Sequence, residues 1–341
     1  MRGALVLEDG TVFGGEAFGR QVPHGCEVVC IDGATWPQLL AAPAYAGQIV
    51  VAVGGDAPAT GTAGPQCYPK GLVLNGTASP PPDDVVWQLG LGGLKGVDTH
   101  GLALHLKRTG PLAGRMVVAD SGESEVGPAG AARFPVCSPC EVSTVRPYRI
   151  YGGGPRVVVY DFGVSPDLLA WLVAFDCHVT VVPWDYPAED VTEMLPDAVI
   201  LSGGPGNPAA CDEVIDGFRP VIGRVPLVAI GLGHQLLARA QGGRTGQMWC
   251  GHRGRSVLVR ELESGRVYET DQSHGYAVLG APVGAKVTYV AVSDGTIEGL
   301  IYPGLDAVSL QFLPGPEAVA GPITHLWRRW LPRGSVQESI A

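Results

Sequence analysis

The sequence predicts an α/β protein in two parts, a β-rich N-terminal α/β domain and a doubly wound parallel C-terminal domain. Three observations predict it. Residues 1–118 read as short strands and turns with two helical stretches. From residue 156 apolar strands alternate with amphipathic helices. A Gly-, Pro- and Ser-rich segment, 119–155, lies between the two patterns. A length of 341 residues fits two domains at about 100–200 residues each. The boundaries read as 1–118, a linker at 119–155, a second domain at 156–333 and a tail at 334–341.

In the first part, "GALVLEDGTVFGGEAFG" gives two short strands around an "EDG" turn. "AGQIVVAV" (46–53) is a further strand. "DDVVWQLGLGG" and "VDTHGLALHLKRTG" carry helical spacing, and each ends in Gly, a helix stop signal.

In the second part, "RVVVYDFG" (156–163) is a buried strand, and "SPDLLAWLVAFD" (165–176) opens with Ser then Pro, a favourable helix start. "HVTVVPW" (178–184) is a strand and "PAEDVTEML" (187–195) a helix. "DAVILSGGPGNP" (197–208) runs from strand into a glycine loop. "VPLVAIG" (225–231) then turns through glycines into "LGHQLLARAQGG", in the shape of a nucleophile elbow with Gly231 at the apex. In such a fold ligands bind at the C-terminal ends of the parallel strands, where both glycine turns fall.

Apolar residues make up 46% of the chain and charged residues 16%, enough for a substantial core. The net charge of −10 offers no attraction to a phosphate backbone, which sets nucleic acid aside as a partner. The basic cluster "HLWRRWLPR" (325–333) reads as the polar face of a terminal helix. No apolar run reaches the ~18 residues that a membrane span needs. The N-terminal stretch lacks the apolar core of a signal peptide, and eight scattered cysteines fit a reducing cytoplasm. Cys137 and Cys140 form one isolated CxxC, read as a linker feature; no metal and no cofactor are expected.

These motifs together resemble the small subunit of carbamoyl phosphate synthetase, whose C-terminal half is a class I glutamine amidotransferase. "ALVLEDGTVFGGEAFG", "APAYAGQIV", "GVDTHGLALHLKRTG" and "CEVSTVRPY" match the N-terminal half and linker. "VVVYDFGV", "LSGGPGNP", "GLGHQLLARAQGG", "GHRG", "GRVYETDQSHGYAV" and "SDGTIEGL" match the C-terminal half in order. The resemblance implies a Cys-His-Glu triad that hydrolyses glutamine through an acyl-enzyme and passes ammonia to a large synthetase subunit.

The chain departs from that pattern at each triad position. Gly231 stands where the resemblance implies the Cys, Leu313 where it implies the His, and Gly315 where it implies the Glu. Glu317 lies two residues further on. Gly203 and Ser273 stand in place of family asparagines, while Leu232, Gln235, Gly275 and Tyr276 match substrate-contacting positions. Without a thiol the acyl-enzyme route is closed. Cys211 and Cys250 read as small fillers, with Cys250 near the cleft; His234 reads as a structural helix residue, and His252 with Arg253 as a loop anchor.

The expectation is a wider, more apolar cleft that keeps its backbone donors, around Gly204, Gly206 and Leu232, and binds a small molecule. Trp36 and Asp32 are placed facing it, with Trp184 and Trp249 as further candidates. Asp32, His274, Tyr276 and Glu317 are the candidate general acids and bases. The function expected is non-covalent cyclisation, isomerisation or dehydration of a larger, more apolar molecule in specialised metabolism. The alternative is a non-catalytic regulatory or scaffold subunit of an ammonia-using synthetase, with a large subunit as partner. Decay of the cleft without reuse is the plainer reading of the same losses.

Overall fold

The computed structural model describes residues 1–20, 25–54, 68–118 and 138–313. Part of the expected linker (119–137, with Cys137), Gly315, Glu317, the basic cluster at 325–333 and the tail at 334–341 lie outside the described residues. The chain divides into two compact units: Met1–Cys137 with Trp249–Arg255, and Ser138–Met248 with Ser256–Ala341.

The first unit is built from β1 (Arg2–Leu7), β2 (Val12–Gly19), β3 (Cys26–Asp32), α1 (Trp36–Leu40), β4 (Ile49–Val53), β5 (Gly71–Val73), α2 (Asp83–Leu89), β6 (Gly92–Lys95), α3 (Thr99–Thr109) and β7 (Ala113–Val118). Its seven strands close into a barrel in the order β1-β2-β6-β5-β4-β3-β7. The run β3 to β6 is parallel and the remaining pairs are antiparallel. Strand alternation sorts the apolar residues into two cores. Leu5, Leu7, Val28, Ile49, Val51, Val73, Leu94 and Met116 form one, drawn from every strand but β2, and Leu102 of α3 joins it. Val29, Ile31, Val50, Ala52 and Leu72 form the other, with Trp36, Leu39 and Leu40 of α1.

The expected helix ends are present. Asp98 accepts a hydrogen bond from the Gly101 amide at 2.8 Å and caps α3, while Gly90 closes α2 at φ 62°. Trp36, expected to face the cleft, is only 7% exposed and packs into the second core of this unit. The cause is local: the Gln38 carbonyl accepts from the Thr35 amide at 3.2 Å and Pro37 sets the first turn, which seats Trp36, Leu39 and Leu40 on the inner face of α1.

The second unit holds α4 (Pro139–Val142), β8 (Tyr148–Ile150), β9 (Arg156–Asp161), α5 (Pro166–Ala174), β10 (His178–Pro183), α6 (Ala188–Glu193), β11 (Ala198–Leu201), α7 (Asp212–Phe218), β12 (Leu227–Ile230), α8 (Leu232–Ala240), β13 (Arg244–Glu261), β14 (Val267–Gly280), β15 (Lys286–Ala291), β16 (Ile297–Tyr302) and β17 (Ala307–Leu310). Residues Trp249–Arg255 of β13 group with the first unit. The sheet runs β14-β13-β15-β16-β17-β12-β11-β9-β10-β8. Its centre, β17-β12-β11-β9-β10, is parallel. β10 and β11 flank β9 on opposite sides, so the winding reverses there, and the loops after β9 and β11 part around a crevice.

Two apolar cores cover the faces of this sheet, one under α6, α7 and α8, the other under α5. Ser165 caps α5 as its sequence suggested, its Oγ accepting from the Leu168 amide at 3.2 Å. The later part of the segment read as linker is structured. α4 lies within it, and β8 adds an antiparallel edge strand against β10. Asp161 anchors that stretch: its carboxylate accepts the Gly163 and Val164 amides at 2.9 and 2.8 Å and the Thr144 amide at 2.7 Å.

Candidate functional site: two glycine turns at the strand ends

The elbow between β12 and α8 keeps its backbone and lacks a side chain. Gly231 sits at φ 57° and ψ −115°, a conformation that L residues avoid. Its amide donates to the Leu310 carbonyl at 2.8 Å, which ties the apex to the end of β17. A Cβ built there would lie 3.3 Å from Gly203 Cα and 3.9 Å from the Gln311 carbonyl oxygen. A side chain would therefore fit after a small adjustment. Leu232, the first helical residue, has no intrahelical acceptor for its amide, which keeps the donor expected at such a turn.

The second glycine turn is bound to the first. Ser202 is buried at the end of β11; its Oγ accepts the Phe162 amide at 2.9 Å and its carbonyl accepts the Gly233 amide at 3.0 Å. Gly204 is pressed on the β9 end so closely that a Cβ would sit 1.8 Å from the Phe162 carbonyl oxygen. Gly206 follows at φ 119°. Gly203, Gly204, Gly206, Gly231 and Leu232 thus stand together at the strand ends. Leu313 forms an isolated bridge to Asp271 and packs on the apolar core beside α5.

Behind the elbow lies a buried polar layer that the sequence did not announce. On α8, His234 Nδ1 is 2.7 Å from Ser309 Oγ, and Nε2 faces the Ile297 backbone without closing a regular hydrogen bond. Complete burial holds the pKa of this ring down to about 3, so it is neutral and structural. Gln235, 3% exposed, donates through Nε2 to the Tyr276 carbonyl at 2.7 Å and to Gln311 Oε1 at 2.9 Å. His274 bonds Tyr276 O through Nδ1 and Gln272 Oε1 through Nε2, both at 2.8 Å. Gln272 in turn donates to Glu298 Oε2 at 3.0 Å and Thr270 Oγ1 at 3.1 Å. Glu298 is fully buried on β16. Ser273, half-buried, has an Oγ without a hydrogen-bond partner among the described residues. Gly275 lies between His274 and Tyr276 on β14, beside Gln235 through the Tyr276 carbonyl.

The sequence missed Thr270, Gln272, Glu298, Ser309 and Gln311. The signal available was weak: in "TDQSH" both faces of β14 are polar, so alternation does not say which face is inside.

The other candidates belong to the first unit or lie elsewhere. Asp32 is exposed at the end of β3. Cys250 is exposed, and neighbouring Trp249 donates its indole N–H to the Lys107 carbonyl at 3.1 Å. Arg253 reaches Glu27 at 3.8 Å. Trp184 is half-buried against the core under α6. Cys211 is buried, and burial pushes its thiol up to about 11, far from a nucleophile's range. Within a single unit, the described residues bring together no set of three His, Cys, Asp or Glu side chains able to hold a metal ion.

Comparison with known proteins gives this geometry a lineage. Residues 5–116 match the model of the carbamoyl-phosphate synthase small chain, CPSase domain, and residues 158–329 that of glutamine amidotransferase class-I. The chain is 36% identical to the carbamoyl phosphate synthase small chain of Bacillus cereus, over 94% of this chain and 92% of that one. It is 36% identical to the pyrimidine-specific small chain of Bacillus subtilis, covering 97% and 95%. The small chain of Symbiobacterium thermophilum is also 36% identical, with 93% of each covered.

Proposed function

The chain belongs to the carbamoyl phosphate synthase small chain family, and from that premise we propose that it does not hydrolyse glutamine and that its elbow cleft serves a different small molecule. One observation carries the reading. The elbow holds the strained turn at φ 57° while Gly231 offers no nucleophile and Leu313 is taken up in packing. The backbone donors of such a turn survive; the groups that would make and break an acyl-enzyme do not.

In this reading the ligand is larger and more apolar than glutamine. It occupies the room left at Gly231, Gly203 and Ser273, and contacts Leu232, Gln235 and Gly275. Chemistry without a covalent intermediate, such as cyclisation, isomerisation or dehydration, is what the remaining groups suit. Tyr276 is the proton-transfer candidate on this wall. The test is binding. Candidate small acids, amides and bicyclic metabolites are screened against wild type and Gly231→Leu, which refills the apex. Ligands whose binding the variant abolishes support the reading; a cleft that binds nothing, or binds equally well in both, contradicts it.

Similarity across both matched regions, including residues 5–116, favours a second reading. Here the chain is a non-catalytic subunit of an ammonia-using synthetase, partnered by a large chain. A stable complex with a large chain that raises ammonia-dependent turnover supports it.

A further inference from the structure

We propose that His274 is held as a doubly protonated, positively charged positioning residue, and is not a general acid or base. This charge follows from the chain's own hydrogen bonds, whatever the cleft binds.

Both ring nitrogens face acceptors. A backbone carbonyl only accepts, so Nδ1, 2.8 Å from Tyr276 O, carries a proton. The state of Nε2 depends on which end of the Gln272 amide faces it, and two neighbours decide that. Thr270 Oγ1 spends its proton on the Val257 carbonyl at 2.7 Å, so it meets Gln272 as an acceptor. Glu298 Oε2, as a carboxylate, is an acceptor too. Gln272 therefore turns its –NH2 to both and its carbonyl oxygen to His274 Nε2. Nε2 must then donate as well, and the ring is an imidazolium.

Its countercharge is at hand. Glu298 Oε1 lies 3.8 Å from Nε2, and both side chains are nearly sealed from solvent, at 6% and 0% exposure. A flipped Gln272 with a protonated Glu298 would make the ring neutral. It would also set the Gln272 oxygen against the lone pairs of Thr270, an unmatched pair of buried acceptors.

The bonds run on to the elbow. Tyr276 O accepts from His274 and from Gln235, using both lone pairs. Gln235 spends both amide protons, on Tyr276 O and Gln311 Oε1. The Gln311 amide returns to the Glu298 carbonyl at 2.9 Å, which closes the circuit. The cation is thus a strut. It fixes the Tyr276 backbone and sets Gln235 with both Nε2 protons committed inward.

The experiment is 15N NMR of the full chain labelled at histidine, with His274 assigned by through-bond connection to its backbone. At neutral pH both ring nitrogens should show protonated-type shifts and one-bond couplings to hydrogen. An unprotonated, pyridine-type nitrogen on His274 overturns the proposal. In Glu298→Gln the buried countercharge is gone, and one ring nitrogen should become pyridine-type; a ring unchanged from wild type counts against the proposed pairing. The wild-type spectrum decides the charge state by itself, so the test survives a variant that fails to fold.

Discussion

Gly231 of the elbow and Gly204 of the neighbouring turn should respond to the same substitution to very different degrees. At Gly231 a methyl group meets Gly203 Cα at 3.3 Å, a contact relieved by a few tenths of an ångström. The larger cost is conformational: φ 57° with ψ −115° strains an L residue by about 1–3 kcal/mol. Restricting the unfolded chain returns about 0.4–1 kcal/mol. Gly231→Ala and Gly231→Cys should therefore each destabilise by about 1–2 kcal/mol, lowering the melting temperature by roughly 2–8 °C. Gly204→Ala differs in kind. Its Cβ would lie 1.8 Å from the Phe162 carbonyl oxygen and 2.6 Å from its carbon, so backbone must move against backbone. More than about 4 kcal/mol should be lost, with the variant unfolded or aggregated at growth temperature. Thermal and urea unfolding of the three variants gives the comparison. Equal costs at the two glycines, or a Gly231→Ala cost above about 4 kcal/mol, would refute the picture of an elbow with room for a side chain at its apex.

Other outcomes follow from the same structure. His234 is neutral when folded, with its pKa depressed to about 3 against an ordinary value near 6.5. The unfolded state binds the extra proton, so the stability this ring contributes is full above the ordinary value and falls with pH by up to about 1.4 kcal/mol per unit below it. His234→Gln should flatten the stability profile of denaturant midpoints between pH 6 and pH 4; an unchanged slope contradicts the assignment. Trp36→Ala should lose about 3–5 kcal/mol of stability as a core truncation, leaving ligand affinity measured below the melting point unchanged. A selective loss of binding would return Trp36 to a cleft. Native-state alkylation followed by mass spectrometry should modify Cys250 and Cys140 rapidly. Cys211 and Cys30, with thiols pushed up to about 11 and about 12 by burial, should react only after unfolding.

Much of the fold is legible where local chemistry dictates it. Asp98 and Ser165 mark helix starts, Gly90 and Gly110 mark helix ends, and the apolar runs at 157–160, 198–201 and 227–230 mark parallel strands buried on both faces. β8 is not legible: three residues carry no periodicity, and the Ser138–Glu141 capping arrangement is hidden in a Gly/Pro-rich stretch. Trp36 was legible as a large apolar group but not in its direction, which the α1 cap sets. The candidate site shows the same divide. The glycine turns can be read from motif spacing, because each needs only its own residues. The polar layer of Gln272, His274 and Glu298 cannot, because it joins β14 to β16 across residues whose polarity alone reads as solvent-facing.

The proposed loss of glutaminase activity is tested most directly by glutamate release from glutamine by the purified chain, alone and with a large synthetase chain added. No turnover above a protein-free blank is expected in either case, and none in Gly231→Cys, since Leu313 supplies no base. Turnover by the wild-type chain that persists when Cys250 and Cys211 are both replaced would contradict it.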